Sequence, residues 1–201
     1  MSAALLPGLP GLPGATCPPA PDGPPAVLAR AEWPDRPADE LPQIAGFVVS
    51  AFNPLVAEVA ERCLRPVYGE PPADPARGAR TGIVLASVRG DVTTARTVAE
   101  AVRTGSRVPP LLFFQSNPNA VLGYVAARWG LAGPVVCTAP TGDALDDGLS
   151  VAALLVEDGD AAEVLVIAAD LAAGDGATDH AVAVLVGPAA PVVPQGKGSG
   201  P

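Results

Sequence analysis

The 201-residue sequence is poor in several residue types, and their scarcity limits the chemistry available to it. It contains four Phe, two Tyr, two Trp, one His and three Cys. The cysteines, Cys17, Cys63 and Cys137, follow no CxxC or zinc-ligand spacing, and their odd number is typical of a reduced compartment. We therefore predict no metal site and no cofactor, and we expect a cytoplasmic protein.

Positive charge is also scarce. Twelve Lys and Arg residues stand against 21 Asp and Glu, which gives a formal net charge of −9. The arginines are scattered and form no basic run, whereas binding to phosphate groups needs a basic patch. We expect no binding to nucleic acid or to anionic membranes.

Long hydrophobic runs and processing signals are missing as well. Apolar runs such as Val164 to Ala169 are far too short to span a bilayer. The N-terminus lacks a basic region, and prolines interrupt its apolar stretch, so no signal peptide is predicted. There is no GxSxG motif for Ser/His/Asp catalysis and no Gly-rich phosphate loop.

Proline and glycine, by contrast, are abundant, with 25 and 22 residues. The prolines concentrate in residues 1–40, which predicts an extended or disordered N-terminal segment. Residues 191–201 are predicted to be a flexible tail. Between them, residues 41–190 are long enough for one folded domain.

The central region alternates helical and strand patterns. Helices are predicted over 54–65, from Gly90-Asp91 to near Gly105, from a cap at Asn119 to Trp129, and over 143–157; strands are predicted over 81–88, 134–140, 162–170 and 180–187. The segment 44–52 fits either a strand or a continuation of the first helix. Because the strands show no polar alternation, both of their faces should be covered, which indicates a layered α/β domain.

One segment carries a family resemblance, the stretch VPPLLFFQSNPNAVLGYVAARWGLAGPVV. It combines Pro109, Ser116, Pro118-Asn119, Gly130-Leu131 and Gly133-Pro134 in order, and HAVAVLVGP follows later. From Gly82 to Pro188 the sequence thereby resembles the N-terminal half of β-ketoacyl synthases, particularly chain-length-factor-like members. The resemblance implies a thiolase-like half-domain with helices on both faces of a mixed sheet.

The same resemblance locates the nucleophile of active relatives shortly after the Gly-Pro pair, at the start of the buried helix. A helix N-terminus stabilises a thiolate, which explains that location. Counting from Gly133-Pro134 and counting back from Gly159-Asp160 both place the position at Gly142, which cannot form an acyl-thioester. A one-residue slip would place Thr141 or Asp143 there.

Two further residues are weak candidates for catalysis. Cys137 lies five residues before Gly142, inside the predicted strand, and is interpreted as a buried small apolar residue. His180 begins a strand and is interpreted as a surface or loop residue. The catalytic histidines of the resembled family belong to a C-terminal half that would begin where this sequence ends.

An isolated half would expose the faces of helix 143–157, so we expect obligate association. The resemblance implies three kinds of partner: a ketosynthase, a complementary C-terminal-half subunit, or a second copy in a homodimer, with pairing through strand 135–139. An acyl carrier protein is a further candidate. The expected interface or binding residues are Phe113, Phe114, Ser116, Asn117, Asn119, Val136, Thr138, Thr141 and Asp143.

The function that follows is a non-condensing, chain-length-factor-like subunit of polyketide or fatty-acid-type biosynthesis. It would stabilise a catalytic partner or shape its acyl tunnel. Two alternatives stay open: a small enzyme that reuses the acyl cleft for non-condensing chemistry, and a structural dimer with no ligand.

Overall fold

A computed structural model describes residues 25–36, 38–172 and 178–188. The elements in chain order are β1 (Ala26–Trp33), α1 (Phe52–Tyr68), α2 (Pro75–Gly78), β2 (Thr81–Ala86), α3 (Val92–Arg103), α4 (Pro110–Gln115), α5 (Pro118–Trp129), β3 (Val135–Thr138), α6 (Ala144–Glu157), β4 (Glu163–Asp170) and β5 (His180–Gly187). The four strands predicted between 81 and 187 are confirmed, as are the helices predicted from 91 and over 143–157. The expected flexible tail over 191–201 lies outside the described residues.

The strands form one mixed sheet in the order β1-β5-β4-β2-β3. Strand β2 runs parallel to β3 and β4, whereas β5 runs antiparallel to both β4 and β1. Every residue of β2 is buried, and β4 is buried over most of its length. Because β3 pairs only with β2, it forms one edge of the sheet.

Helices cover both faces of the sheet, which confirms the predicted layered α/β architecture. On one face α1 and α5 bury a core that includes Phe52, Leu122 and Trp129 against the sheet. On the other face α6 packs through Ala152 and Val156 against valines of β2, β4 and β5. A Cβ atom at Gly148 of α6 would lie 2.7 Å from Cγ1 of Val166, so the helix lies very close to β4.

Side-chain caps set the ends of several helices. Asp91 caps α3 by accepting from the Thr94 amide, and Asp143 caps α6 by accepting from the Asp146 amide. Helix α5 is C-capped by Gly130, whose φ of 69° is left-handed and favours glycine. The predicted cap of α5 is wrong by two residues: Asn117 is the N-cap, and its side chain accepts from the Asn119 amide.

Tertiary pairing overrides the sequence patterns at the N-terminal end of the fold. The expectation of an extended or disordered 1–40 is wrong over 26–33, where β1 pairs antiparallel with β5. Helix α1 begins at Phe52, two residues before the predicted start, and the preceding 44–51 is neither strand nor helix. Residues 1–24 lie outside the described part of the chain.

Candidate functional site

A cavity of about 380 Å³ opens where β2 and β3 end. Its polar lining comes from six residues, Ser87, Arg89, Asp91, Ser116, Cys137 and Thr138, and much of the remaining lining is apolar. Carboxyl ends of parallel strands commonly form ligand sites in α/β proteins. The structure thus brings three of the predicted site residues, Ser116, Cys137 and Thr138, to a single cavity.

The thiol of Cys137 faces this cavity, and the residue is exposed. The interpretation of Cys137 as a buried apolar residue is therefore wrong, because β3 is an edge strand and leaves one flank open. Its Sγ atom donates to Oδ1 of Asn119 over 3.1 Å. Partial burial raises the pKa of the Cys137 thiol, which disfavours the reactive thiolate.

The loop between β3 and α6 carries Thr141, Gly142 and Asp143, all exposed. A Cβ atom built on Gly142 would meet nothing within 4 Å, so the position has room for a side chain and simply has none. Oδ1 of Asp143 accepts from the Asp146 amide over 3.0 Å, which commits this carboxylate to capping α6. Thr138 Oγ1 donates to Oδ2 of Asp147 over 2.8 Å and ties the strand to the helix.

His180 lies in a different cavity, of about 300 Å³, with Arg30, Asp143 and Asp170. It is exposed at the first residue of β5 and pairs in register with Asp170 of β4. His180 and Cys137 therefore line separate cavities, and the described residues do not form a cysteine–histidine pair at either one. Val136, one of the expected interface residues, lies within β3 and is half-buried.

Helix α4 presents two aromatic rings to solvent: Phe113 is 81% exposed and Phe114 is 66% exposed. Ser116 follows, and its Oγ donates to the Phe113 carbonyl over 2.8 Å. The next residues, Asn117 and Asn119, lie at the start of α5. Such exposure of large rings on a helix marks an interaction surface more often than a solvated face.

A buried polar cluster beneath α4 has no counterpart among the residues predicted from sequence. Ser50, Asn53, Asp91, Thr94 and Gln115 are all at most 8% exposed and hydrogen-bond to one another. These residues are spread over four segments and form no motif. The only signal available was their position beside predicted helix starts and apolar runs.

Two absences apply to the described parts of the chain. In residues 25–36, 38–172 and 178–188 there is no group of three His, Cys, Asp or Glu side chains suited to a metal ion. Within the same ranges, every helix is too short or too polar to cross a membrane.

A family model and several solved structures match this chain. The family model described as "Beta-ketoacyl synthase, N-terminal domain" matches residues 74–192. No curated protein matches the sequence.

Several solved structures share the fold. A chain of the ketosynthase (ApeO) in complex with its chain length factor (ApeC) from Xenorhabdus doucetiae matches with a TM-score of 0.64 at 16% identity, covering 85% of this chain and 81% of that one. A chain of the ishigamide ketosynthase/chain length factor matches with a TM-score of 0.63 at 18% identity, covering 83% and 63%.

A β-ketoacyl synthase from Burkholderia phymatum STM815 matches with a TM-score of 0.60 at 16% identity, covering 76% of this chain and 47% of that one. The chain thus spans less than two thirds of the second and third of these structures. At such identities the likeness shows the fold, which is the thiolase-like fold of ketosynthases, as the sequence predicted.

Proposed function

The chain belongs to the β-ketoacyl synthase family through its N-terminal domain, and on that premise we propose that it is a non-condensing, chain-length-factor-like subunit. Its partner would be a condensing ketosynthase of polyketide or fatty-acid-type biosynthesis. Two of the similar structures come from ketosynthase/chain length factor pairs, which supports this choice of partner.

One observation carries the proposal: the start of α6 offers an open position and no nucleophile. Gly142 lies there with free space around its Cα atom. The only described thiol that faces a cavity, that of Cys137, lies on β3 and has a raised pKa. His180, which could act as a base, lines a different cavity. Covalent acyl transfer needs a nucleophile and a base within hydrogen-bond reach, so a non-condensing role accounts for the site.

The surface of the domain supports association with a partner. Edge strand β3 leaves one flank of its backbone without a strand neighbour, and Val135 on it is 46% exposed. Leu154 on the outer side of α6 is 58% exposed, and Phe113 and Phe114 project from α4. These three elements would contact the ketosynthase, and the cavity of about 380 Å³ would contribute to the wall of an acyl tunnel.

The proposal includes two finer points. The complex would work in the cytoplasm, and an acyl carrier protein would deliver the growing chain to the ketosynthase. A homodimer or a separate C-terminal-half subunit would bury the same surfaces, so the experiment must distinguish among these three partners.

Co-expression with a condensing ketosynthase of the source organism provides the test. We expect the two proteins to co-purify as a one-to-one complex and the product length or yield to change when the chain is omitted. A stable lone monomer with no effect on the product would overturn the proposal. A homodimer that does not bind the ketosynthase would favour the alternative of a structural dimer with no ligand.

A specific observation keeps the enzymatic alternative in view. His180 and Asp143 share a cavity of about 300 Å³ with Arg30, so titratable groups that an enzyme could use line one cavity. If the purified chain turns over a thioester, His180→Ala should abolish that turnover. Turnover that persists unchanged in this variant and in Cys137→Ala would end the enzymatic reading.

A further inference from the structure

Most of the exposed large hydrophobic side chains lie on α3, on α4 and on two segments that precede helices. Of the ten such side chains among the described residues, seven lie on the loop before α1, on the link between β2 and α3, on α3 or on α4: Val48, Val49, Val88, Val102, Leu111, Phe113 and Phe114. Helices α3 and α4 contact each other. We call these seven residues the apolar surface.

Gln115 is fully buried although it follows the exposed Phe114 in the chain. Its Nε2 atom donates to Thr94 Oγ1 over 2.9 Å, and its Oε1 atom accepts from the Val48 amide over 3.3 Å. Its main-chain oxygen accepts from Nδ2 of Asn53 over 3.1 Å. One residue therefore joins α4 to α3, to α1 and to the loop that carries Val48.

The network continues from Gln115 to an acidic residue. Thr94 Oγ1 donates to Oδ2 of Asp91 over 2.6 Å, and Asn53 Nδ2 donates to the same oxygen over 3.2 Å. Asn53 Nδ2 also lies 2.8 Å from Ser50 Oγ, so its two hydrogens serve three acceptors, on Ser50, Asp91 and Gln115. We call Ser50, Asn53, Asp91, Thr94 and Gln115 the polar hub; all five are at most 8% exposed.

The polar hub is poorly explained as a device for stability. Oδ1 of Asn53 is buried and has no hydrogen-bond partner, although the other hub groups are paired. Well-packed apolar side chains often replace buried polar networks without loss of stability. Directional hydrogen bonds, unlike apolar packing, fix the relative placement of the segments that they join.

We infer that the polar hub is a positioning device, which holds α4, α3 and the loop before α1 in the arrangement that a ketosynthase partner recognises. This inference rests on the proposed function and assigns Gln115 and Thr94 as positioning residues for the contact made by Phe113 and Phe114. Anchors held on a rigid base lose less conformational freedom on binding, so the hub raises affinity without touching the partner.

Thr94→Val tests the inference, with Thr97→Val as a matched control. Both residues lie on α3, but Thr94 joins Gln115 to Asp91, whereas Thr97 Oγ1 donates only to the Thr93 carbonyl one turn earlier. The probe is a condensing ketosynthase of the source organism, titrated against the full chain. We expect T94V to weaken binding by roughly tenfold or more relative to T97V, and T94S, which keeps the hydroxyl, to restore it.

A double-mutant cycle separates positioning from general destabilisation. If the hub acts through the aromatic anchors, T94V should cause no further loss of binding in a chain that already carries F113A and F114A. Hydrogen exchange of residues 110–117 in the free chain should also quicken in T94V and not in T97V. Gln115→Met, with the exposed Gln43→Met as its control, repeats the comparison from the other end of the Gln115–Thr94 bond.

The possible failures differ from one another. If the unaltered chain does not bind the ketosynthase, both the proposed function and the positioning role are overturned. If it binds, but T94V and Q115M behave like T97V and Q43M, the positioning role alone is overturned. Losses that add fully to those of F113A and F114A would also overturn it, because they would show an effect independent of the anchors.

Discussion

Thr138 and Asp147 join edge strand β3 to helix α6, with Oγ1 of Thr138 donating to Oδ2 of Asp147 over 2.8 Å. This hydrogen bond joins the strand and the helix that flank the loop carrying Thr141, Gly142 and Asp143. Asp143 anchors the same loop at its other end by capping α6. The position that lacks a nucleophile is thus held in place at both ends.

Thr138→Val should loosen this loop, because it removes the donor and leaves the Asp147 carboxylate without it. We expect a loss of about 1 kcal/mol in the free energy of unfolding, below the usual range for bonds to charged groups because the pair is only partly buried. Urea unfolding measures this loss. Thr141→Val is the control, since Thr141 is exposed, and equal midpoints for the two variants would contradict the expectation.

The two glycines on either side of the first turn of α6 should differ in how much stability they lose on substitution by alanine. Gly142→Ala should change the free energy of unfolding by less than about 0.5 kcal/mol, because the new methyl group meets nothing within 4 Å. Gly148→Ala should cost about 1–3 kcal/mol despite the higher helix propensity of alanine. Its Cβ atom would lie 2.7 Å from Cγ1 of Val166, a stiff and buried side chain.

Thermal unfolding of the two variants under one set of conditions gives the comparison. A Gly142→Ala protein as unstable as Gly148→Ala would contradict the open space around Gly142. Gly142→Cys extends the test to function. We expect this variant to fold and, on the proposed non-condensing role, to show no condensing activity, although His180 lines a cavity with the neighbouring Asp143.

The sheet was predictable because its signals are local. Strands β2, β4 and β5 are largely apolar runs, β4 ends at Asp170 and β5 at Gly187, and α3 and α6 begin at Asp caps. Strand β1 was missed because the prolines before it dominate the composition of residues 1–40, whereas its ordering comes from pairing with β5, about 150 residues away. Local composition carries no record of such a contact.

The candidate site, like the fold, could be predicted from the sequence only in part. The open position at Gly142 could be counted from neighbouring motifs, since strand, loop and helix follow one another directly. The grouping of Asn53, Thr94 and Gln115 could not, because it depends on three helices meeting and their sequence separations follow no period. The exposure of Cys137 depends on β3 being the sheet edge, a property of strand order alone.

Alkylation should distinguish the two described cysteines. Cys137 is exposed and Cys63 is buried, so iodoacetamide should modify Cys137 in the native protein and leave Cys63 intact. Because partial burial raises the Cys137 pKa, labelling near pH 7.5 should be slower than for a free cysteine and should increase about tenfold per pH unit up to its pKa.

Mass spectrometry of a Cys17→Ser chain over time follows each site separately. Asn119→Ala is the comparison variant, because it removes the oxygen that accepts the hydrogen bond from the Cys137 thiol. Labelling of Cys137 faster than that of free cysteine would contradict the raised pKa and would revive the thiol as a nucleophile.

Alkaline pH should destabilise the fold through Cys63. Burial raises the pKa of this thiol from 9.0 to about 11, so the folded state holds its proton more tightly than the unfolded chain does. The stabilisation is fully present below pH 9 and is lost as the pH rises through about 11, with a total near 2–3 kcal/mol. Burial and the Glu163 carboxylate also raise the pKa of Tyr68, which adds to the loss at the upper end of this range.

Urea unfolding at intervals from pH 8 to 11 measures this dependence, and Cys63→Ala serves as its control. The variant should start less stable, because it leaves a small cavity, but its free energy of unfolding should fall less steeply with pH. Parallel curves for the two proteins would assign the alkaline loss to other groups.

Truncation of the α4 anchors should separate binding from stability. The double variant F113A/F114A removes two rings that are 81% and 66% exposed, so the free energy of unfolding should change by less than about 0.5 kcal/mol per site. Binding to the co-expressed ketosynthase should fall by roughly tenfold to a hundredfold, since buried aromatic anchors commonly dominate interface energies. Val27→Ala, at the opposite edge of the sheet and 63% exposed, is the control and should bind as the unaltered chain does. Calorimetric titration with a parallel melting curve gives both quantities, and unchanged affinity in F113A/F114A would place the ketosynthase contact on β3 and α6 alone.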